Sequence, residues 1–216
     1  MNLASGWDAF RRLRKLYLPS ATTRALRREL VGMDSVLDVG CGADSPLQYV
    51  LTPEKLVGVD AFQGSIDASR ARGIHREYHV MELDRLAFPE LSFDAVVAMD
   101  VIEHFTREDA LRLLARMEAM ARRKVIVLTP NGFMPQGEIG RNPWQVHRSG
   151  WTAGDLQTLG YRVSGTLGWK ALRGELHRPR FRPIFIWERV ANATVVFTAN
   201  RPEYDAALLA VKETGK

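Results

Sequence analysis

The stretch VLDVGCGADSPL, residues 36–47, concentrates more chemistry than any other part of the chain. Val36, Leu37 and Val39 read as a strand made to be buried, yet Asp38 places a carboxylate in it just before a turn, Gly40-Cys41-Gly42. Glycines between a strand and a helix let backbone amides approach a ligand at the carboxyl edge of an open sheet. A dinucleotide fingerprint wants a further glycine three residues on, with a pyrophosphate on the following helix N-terminus. Here that position is Ser45, followed by Pro46, and Asp38 would repel a phosphate. A second acid, Asp60, closes VGVD twenty residues after Gly40. An acid at the end of a second strand accepts from a ribose diol, and a carboxylate before the turn suits an ammonium or sulfonium. The pattern asks for a cationic nucleoside without phosphate, and S-adenosylmethionine has those features. The structural alternatives are a helix-capping or turn role for Asp38 and a strand-end turn role for Asp60. Cys41 reads as a small residue that the turn tolerates, not as a nucleophile.

His104 and His147 are the candidates for proton transfer. His104 follows a predicted strand at the binding edge, where it either takes part in the reaction or holds its loop in place. His147 lies in NPWQVHRSGW, beside Trp144, Arg148 and Trp151, and its alternative is a packed loop histidine. A positioned base speeds transfer to a hydroxyl by ~10²–10⁴; a carboxylate or amine acceptor needs less. His75, His79 and His177 have no partner pattern, and no metal site is expected from any pair of the histidines.

The elements that must position these groups alternate along the chain. Leu3, Trp7, Phe10, Leu13 and Tyr17 have helical spacing with arginines between them, and a second helix is predicted over 21–31. Strands are predicted over 35–39, 56–60, 76–81, 93–99 and 124–129, with helices over 46–51, 66–72 and 107–122. Such alternation means right-handed crossovers and a mainly parallel sheet covered on both faces. Residues 130–150 are Gly- and Pro-rich, and a loop of that length usually serves function or is disordered. Beyond it Thr152 caps a short helix to Leu159, 161–168 form a strand, 184–198 a helix and 205–212 a last strand.

The 216 residues, 46% of them hydrophobic, suffice for one domain with one sizeable core. The formal charge of +5 is uneven: residues 1–30 carry seven Arg/Lys against two acids, and 170–182 carry five against one. Such patches suit an anionic membrane surface, an acidic substrate or nucleic acid, or are solvated faces. The single cysteine forbids an intrachain disulfide and a cysteine zinc cluster, which fits a reducing cytoplasm. No signal peptide is recognised, and no window approaches the ~20 apolar residues of a membrane span.

VLDVGCG, VGVD, FPELSFDAVVAMDVIEHF and VIVLTPNG resemble the successive motifs of class I S-adenosylmethionine-dependent methyltransferases, above all the type-11 small-molecule group, over residues 34–170. The resemblance implies a Rossmann-like α/β fold: a seven-stranded, mainly parallel sheet of order 3-2-1-4-5-7-6, strand seven antiparallel, with helices on both faces. It puts Asp38, Gly40, Cys41 and Gly42 around the methionine part of the cofactor, Asp60 on the ribose hydroxyls, and Ala61 and Phe62 beside the adenine. Where the family has an Asp and a small residue on the adenine, this sequence has Glu82-Leu83, with Asp84 as a rival. Asp100 and Val101 fall under the cofactor, and Glu103-His104 matches the family's common EH pair.

Residues 1–31 are expected as a helical cap or lid on a single domain spanning 1–216. Residues 169–203 form a longer connection between strands six and seven than the family has. The activity implied is methyl transfer to a small-molecule acceptor, on an oxygen of an acidic, saccharide or lipid-linked compound, with possible peripheral contact to an anionic membrane. RNA methylation is the second reading. It lacks interleaved aromatic and basic residues and any Asn/Asp-Pro-Pro-Tyr/Phe motif, so nucleic acid is disfavoured. A non-catalytic binding module is the third.

Overall fold

The computed structural model describes residues 20–50, 53–82, 85–139, 142–174 and 177–215. The predicted N-terminal helix over 3–17, and with it most of the expected lid, lies outside them, as do Leu83 and Asp84. Seven strands form one sheet in the order β3-β2-β1-β4-β5-β7-β6. They are β1 (Ser35–Val39), β2 (Lys55–Asp60), β3 (Glu77–Val80), β4 (Phe93–Met99), β5 (Ala121–Pro130), β6 (Arg162–Gly165) and β7 (Ala207–Glu213). β7 runs antiparallel to both β5 and β6, and the remaining neighbours are parallel. β1 is buried along its whole length, as is β4 but for Asp94, which is why their sequences are runs of Val, Leu and Ala, not alternations.

The helices begin where side chains satisfy their first amides. Ser20 accepts from Thr23 N (3.1 Å) to start α1 (Ala21–Glu29), with Leu26 turned to the core. After β2 comes α2 (Gln63–Ala71). Thr106 accepts from Asp109 N (3.2 Å) to start α3 (Arg107–Met120), whose Ala110, Leu113, Leu114 and Met117 form one buried stripe. Thr152 and Asp155 form a reciprocal capping box on α4 (Ala153–Thr158). Two apolar layers result, one on each face of the sheet. The first joins Leu37, Val39, Val96 and Val127 to α3 and Trp151; the second joins Val36, Val97, Ile126 and Leu209 to Leu26 of α1.

Several expected boundaries move. The helix expected over 46–51 is one 3-10 turn, Pro46–Tyr49, capped by Ser45 and ended by extended backbone at Val50. β5 follows Met120 without a loop, extending the expected strand at its start. The helix expected over 184–198 breaks at Thr194 into α5 (Ile184–Ala193) and α6 (Val195–Thr198). Asp205 is not part of β7 but a buried anchor before it. Its Oδ1 accepts from Leu167 N (2.9 Å) and Ala207 N (3.0 Å), and its Oδ2 from Gly168 N (2.9 Å) and the Thr198 hydroxyl.

Candidate active site

A cleft opens at the carboxyl ends of β1, β2 and β4. Its floor is Gly40, Asp60, Ala61, Asp100 and Val101; His104 and Phe105 follow, and Asn142, Pro143, Trp144, Gln145 and Arg148 close it from the long loop after β5. With its open mouth it encloses about 610 Å³. Gly40 (φ 67°) and Gly42 (φ 57°) both hold left-handed backbone. A Cβ on Gly40 would stand 2.5 Å from Val101 Cγ2, so the missing side chain is what lets the turn close on β4.

Asp60 shapes that turn. Its Oδ2 accepts from Gly42 N (2.9 Å) and its Oδ1 from Phe62 N (2.8 Å). Each oxygen keeps a lone pair for a donor in the cleft. Burial raises the Asp60 pKa above the usual aspartate range, against the lowering effect of the two amides. Cys41 is buried, with its amide on Val59 O (2.9 Å). Burial and then the Asp38 and Asp60 charges push its thiol far up, so it stays protonated and un-nucleophilic. Phe62 precedes α2 and its ring stacks over Gly64, whose added Cβ would meet Phe62 Cε1 at 2.8 Å.

Asp38 does not line the cleft. It is 1% exposed, and its Oδ2 meets the Ser45 hydroxyl (2.6 Å) and His75 Nε2 (2.8 Å). His75 Nδ1 in turn meets Ser69 Oγ (3.2 Å). Gly58 makes the room: a Cβ there would touch the His75 ring at 2.9 Å. His75, expected to have no partner, is thus the buried partner of the acid in the motif, and His79 pairs with Glu77 at the surface (2.7 Å). Glu82 is exposed and paired with Arg85 at 3.5 Å, away from the cleft.

Asp100 sits at φ 53°, a conformation that costs a non-glycine residue energy and recurs at functional positions. Its N–H bonds Leu128 O (2.9 Å), and the residue stands exposed on the cleft floor. Glu103, quoted in the sequence only as half of an EH pair, proves central. It is 2% exposed; its Oε2 accepts from the Thr129 hydroxyl (3.0 Å), while its carbonyl accepts from Arg148 N (2.8 Å) and Ser149 N (3.0 Å), pinning the long loop to β4. Its Oε1 is buried with no hydrogen-bond partner among the described residues. Burial, reinforced by the Asp100 charge, raises its pKa well above the ordinary glutamate value.

The loop brings the two candidate histidines together, with ring centroids 4.8 Å apart in a T-shaped pair. His104 Nδ1 meets Val146 O (3.3 Å) and His147 Nδ1 meets Met134 O (2.6 Å). Burial lowers both pKa values, helped at His104 by His147, so both rings are neutral near pH 7. Phe105, Asn142, Pro143 and Gln145 lie within the quoted stretches but were not singled out, since their types alone announce no chemistry. Asn142 supplies the one local signal, by accepting from Trp144 N (3.0 Å) to start a turn at Pro143. Arg173, one of the basic residues of 170–182 expected to meet an anionic partner or to form a solvated face, is instead buried and spent on Leu167 O, His177 O and Asn192 Oδ1.

Residues 37–129 match the family described as "Methyltransferase domain". Among curated proteins, the chain is 30% identical over 142 residues to a ubiquinone biosynthesis O-methyltransferase of Bradyrhizobium sp. (strain ORS 278), covering 60% of this chain and 51% of that protein. The chain therefore spans about half the length of that relative. Among solved structures, the putative methyltransferase bound to the Haloferax volcanii Trm112 activator superposes with a TM-score of 0.58 at 16% identity, covering 100% of this chain and 98% of that one. The magnesium protoporphyrin IX methyltransferase of Synechocystis PCC 6803 with bound SAM does so with 0.51 at 17%, covering 94% and 91%. At such identities the likeness concerns the fold alone. The methyltransferase-domain match over residues 37–129, on a sheet of order 3-2-1-4-5-7-6, makes the chain similar to S-adenosylmethionine-dependent methyltransferases.

Proposed function

We propose that this chain transfers a methyl group from S-adenosylmethionine to a hydroxyl oxygen of a small-molecule acceptor. Asp60 carries the reading: it ties the glycine turn to the end of β2 and keeps free lone pairs at the cleft, the arrangement a ribose diol needs. The residues present fit the cofactor. Glycine at position 40 keeps the floor of the cleft free of a side chain where it packs on Val101, and Ala61 and Val101 offer apolar walls to a nucleoside. The cofactor, when bound, supplies a methyl on a sulfonium leaving group for in-line displacement. The chain's work is to hold the acceptor at the cleft mouth, exclude water with the 142–148 loop, and manage one proton.

With Nδ1 committed to Met134 O, the His147 lone pair sits on Nε2, where it can receive the hydroxyl proton; His104 beside it is equally neutral. Oxygen as the receiving atom draws support from the Bradyrhizobium relative, an O-methyltransferase. Titration calorimetry with S-adenosylhomocysteine, followed by transfer of labelled methyl to phenolic, carboxylic and saccharide acceptors, tests the reading. An absence of homocysteine-nucleoside binding removes it.

The acceptor is met, in the same proposal, at an anionic membrane surface. Phe185, Ile186, Val196 and Phe197 on α5 and α6 are exposed, the last to 76%, with Arg178, Arg182 and Arg189 also exposed on the same connection. Apolar tips among guanidinium groups match acyl chains under anionic headgroups. No helix among the described residues is long and apolar enough to cross a membrane. Co-sedimentation with phosphatidylglycerol vesicles should fall with salt and with Phe185→Ser. Binding that ignores both variables contradicts the contact.

A further inference from the structure

Metal ligation was not expected from the sequence, yet the fold gathers a donor set no motif announces. One ring nitrogen each of His104 and His147 and a carboxylate oxygen of Glu103 all lie within 4.8 Å of one another. We propose that Glu103, His104 and His147 form a site for a first-row divalent cation such as Zn²⁺, Co²⁺ or Fe²⁺, set beside the acceptor end of the cleft.

Three observations carry this. First, Glu103 is almost fully buried, and while Thr129 occupies one carboxylate oxygen, the other has no partner among the described residues. An unpaired buried oxygen is costly to keep, and a cation is the partner that two facing imidazoles cannot supply while neutral. Second, both rings are held as metal-binding histidines are: Nδ1 of His147 and of His104 is directed at a backbone carbonyl, of Met134 and of Val146, which fixes ring orientation and leaves a lone pair on the opposite nitrogen. Third, Asp100 and His104 both line the cleft, so an ion held by His104 would share that cleft with a further carboxylate.

The donor types select the ion. Two imidazoles and one carboxylate suit the borderline first-row metals and disfavour Mg²⁺, which prefers oxygen ligands. Ligands around such an ion stand ~3.4 Å apart, so the widest pair needs to close by roughly 0.7 Å from each side. Three protein ligands leave positions for an acceptor oxygen. The inference rests on the O-methyl reading for the identity of that oxygen, though not for the binding of the ion. When the ion is held, both histidines are ligands; the base role of His147 then belongs to the metal-free protein.

The test uses the whole chain without a histidine tag, stripped with chelator. Co²⁺ titrated in should give a visible d–d band that saturates at one ion per chain, is displaced by Zn²⁺ and is unaffected by excess Mg²⁺. His147→Ala and Glu103→Gln should each weaken Co²⁺ at least tenfold, with folding checked by near-UV circular dichroism. No saturable band, or binding unchanged in both folded variants, overturns the site. Homocysteine-nucleoside titration on the same samples separates the two claims. If the nucleoside binds and Co²⁺ does not, this inference falls and the methyltransferase reading stands. If Co²⁺ binds and the nucleoside does not, the site stands and that reading falls.

Discussion

Replacing Asp60 by Asn keeps the size of the side chain and removes one acceptor and the charge. In the native turn the two carboxylate oxygens take Gly42 N and Phe62 N at 2.9 and 2.8 Å. An amide can satisfy only one of them, and its NH₂ then faces the other N–H, donor against donor. Leaving that backbone group unpaired costs the fold ~1–3 kcal/mol. The cofactor loses one of two charge-assisted bonds from its diol, ~1.5–3 kcal/mol. At 1.4 kcal/mol per factor of ten, homocysteine-nucleoside affinity should fall ~10- to 150-fold, and at least as far for Asp60→Ala. Calorimetry gives the affinity, and a thermal melt without ligand gives the cost to the fold. Because burial raises the Asp60 pKa, native affinity should begin to fall as pH drops while still above the ~3.9 of a free aspartate. A variant that melts lower yet binds within twofold of native would refute the placement of the ribose at β2.

Gly40→Ala should reduce nucleoside affinity more than tenfold, since left-handed backbone alone costs an L-residue ~1–2 kcal/mol and the new Cβ meets Val101. Adding Val101→Ala should return the steric part and not the backbone part, a non-additivity that calorimetry on the double variant reads. Asp38→Ala strands His75 and Ser45 and should destabilise by ~1–3 kcal/mol in chemical denaturation; unchanged stability with lost nucleoside binding would instead put Asp38 on the ligand. Asp155 is held well below the usual carboxylate range by Arg107 and Thr152. Its contribution is complete above the unfolded pKa and is lost as pH falls through the depressed folded one. Asp155→Asn should therefore flatten the acid limb of a stability-against-pH curve and cost on the order of 1 kcal/mol at pH 7.

A mainly parallel sheet covered on both faces was legible because apolar runs and helical stripes alternate; the strand order came from the resemblance to class I methyltransferases. The Thr152 cap was legible too, since its partner is three residues away. What stayed hidden depends on distance along the chain. Asp38 reaches His75 across 37 residues, so a motif read locally suggests a ligand where the fold supplies a neighbour. Glu103 gains its setting from Thr129, 26 residues on, and from the 142–148 loop. The cleft's far wall comes from that loop, whose place after strand five put it over the acceptor pocket, while its Gly and Pro content does not say which side chains face inward.

Asp205 has a mechanical consequence. One carboxylate fastens the segment after β6, the end of α6 and the start of β7 to a common point. The apolar tips of α5 and α6 are thereby riveted to the sheet along the same strand-end edge on which the cleft, the proposed reaction chamber, opens. Were those tips immersed in lipid, the chamber would ride at a constant height and tilt above the bilayer, and only an amphiphile whose reactive group projects to that height would be methylated.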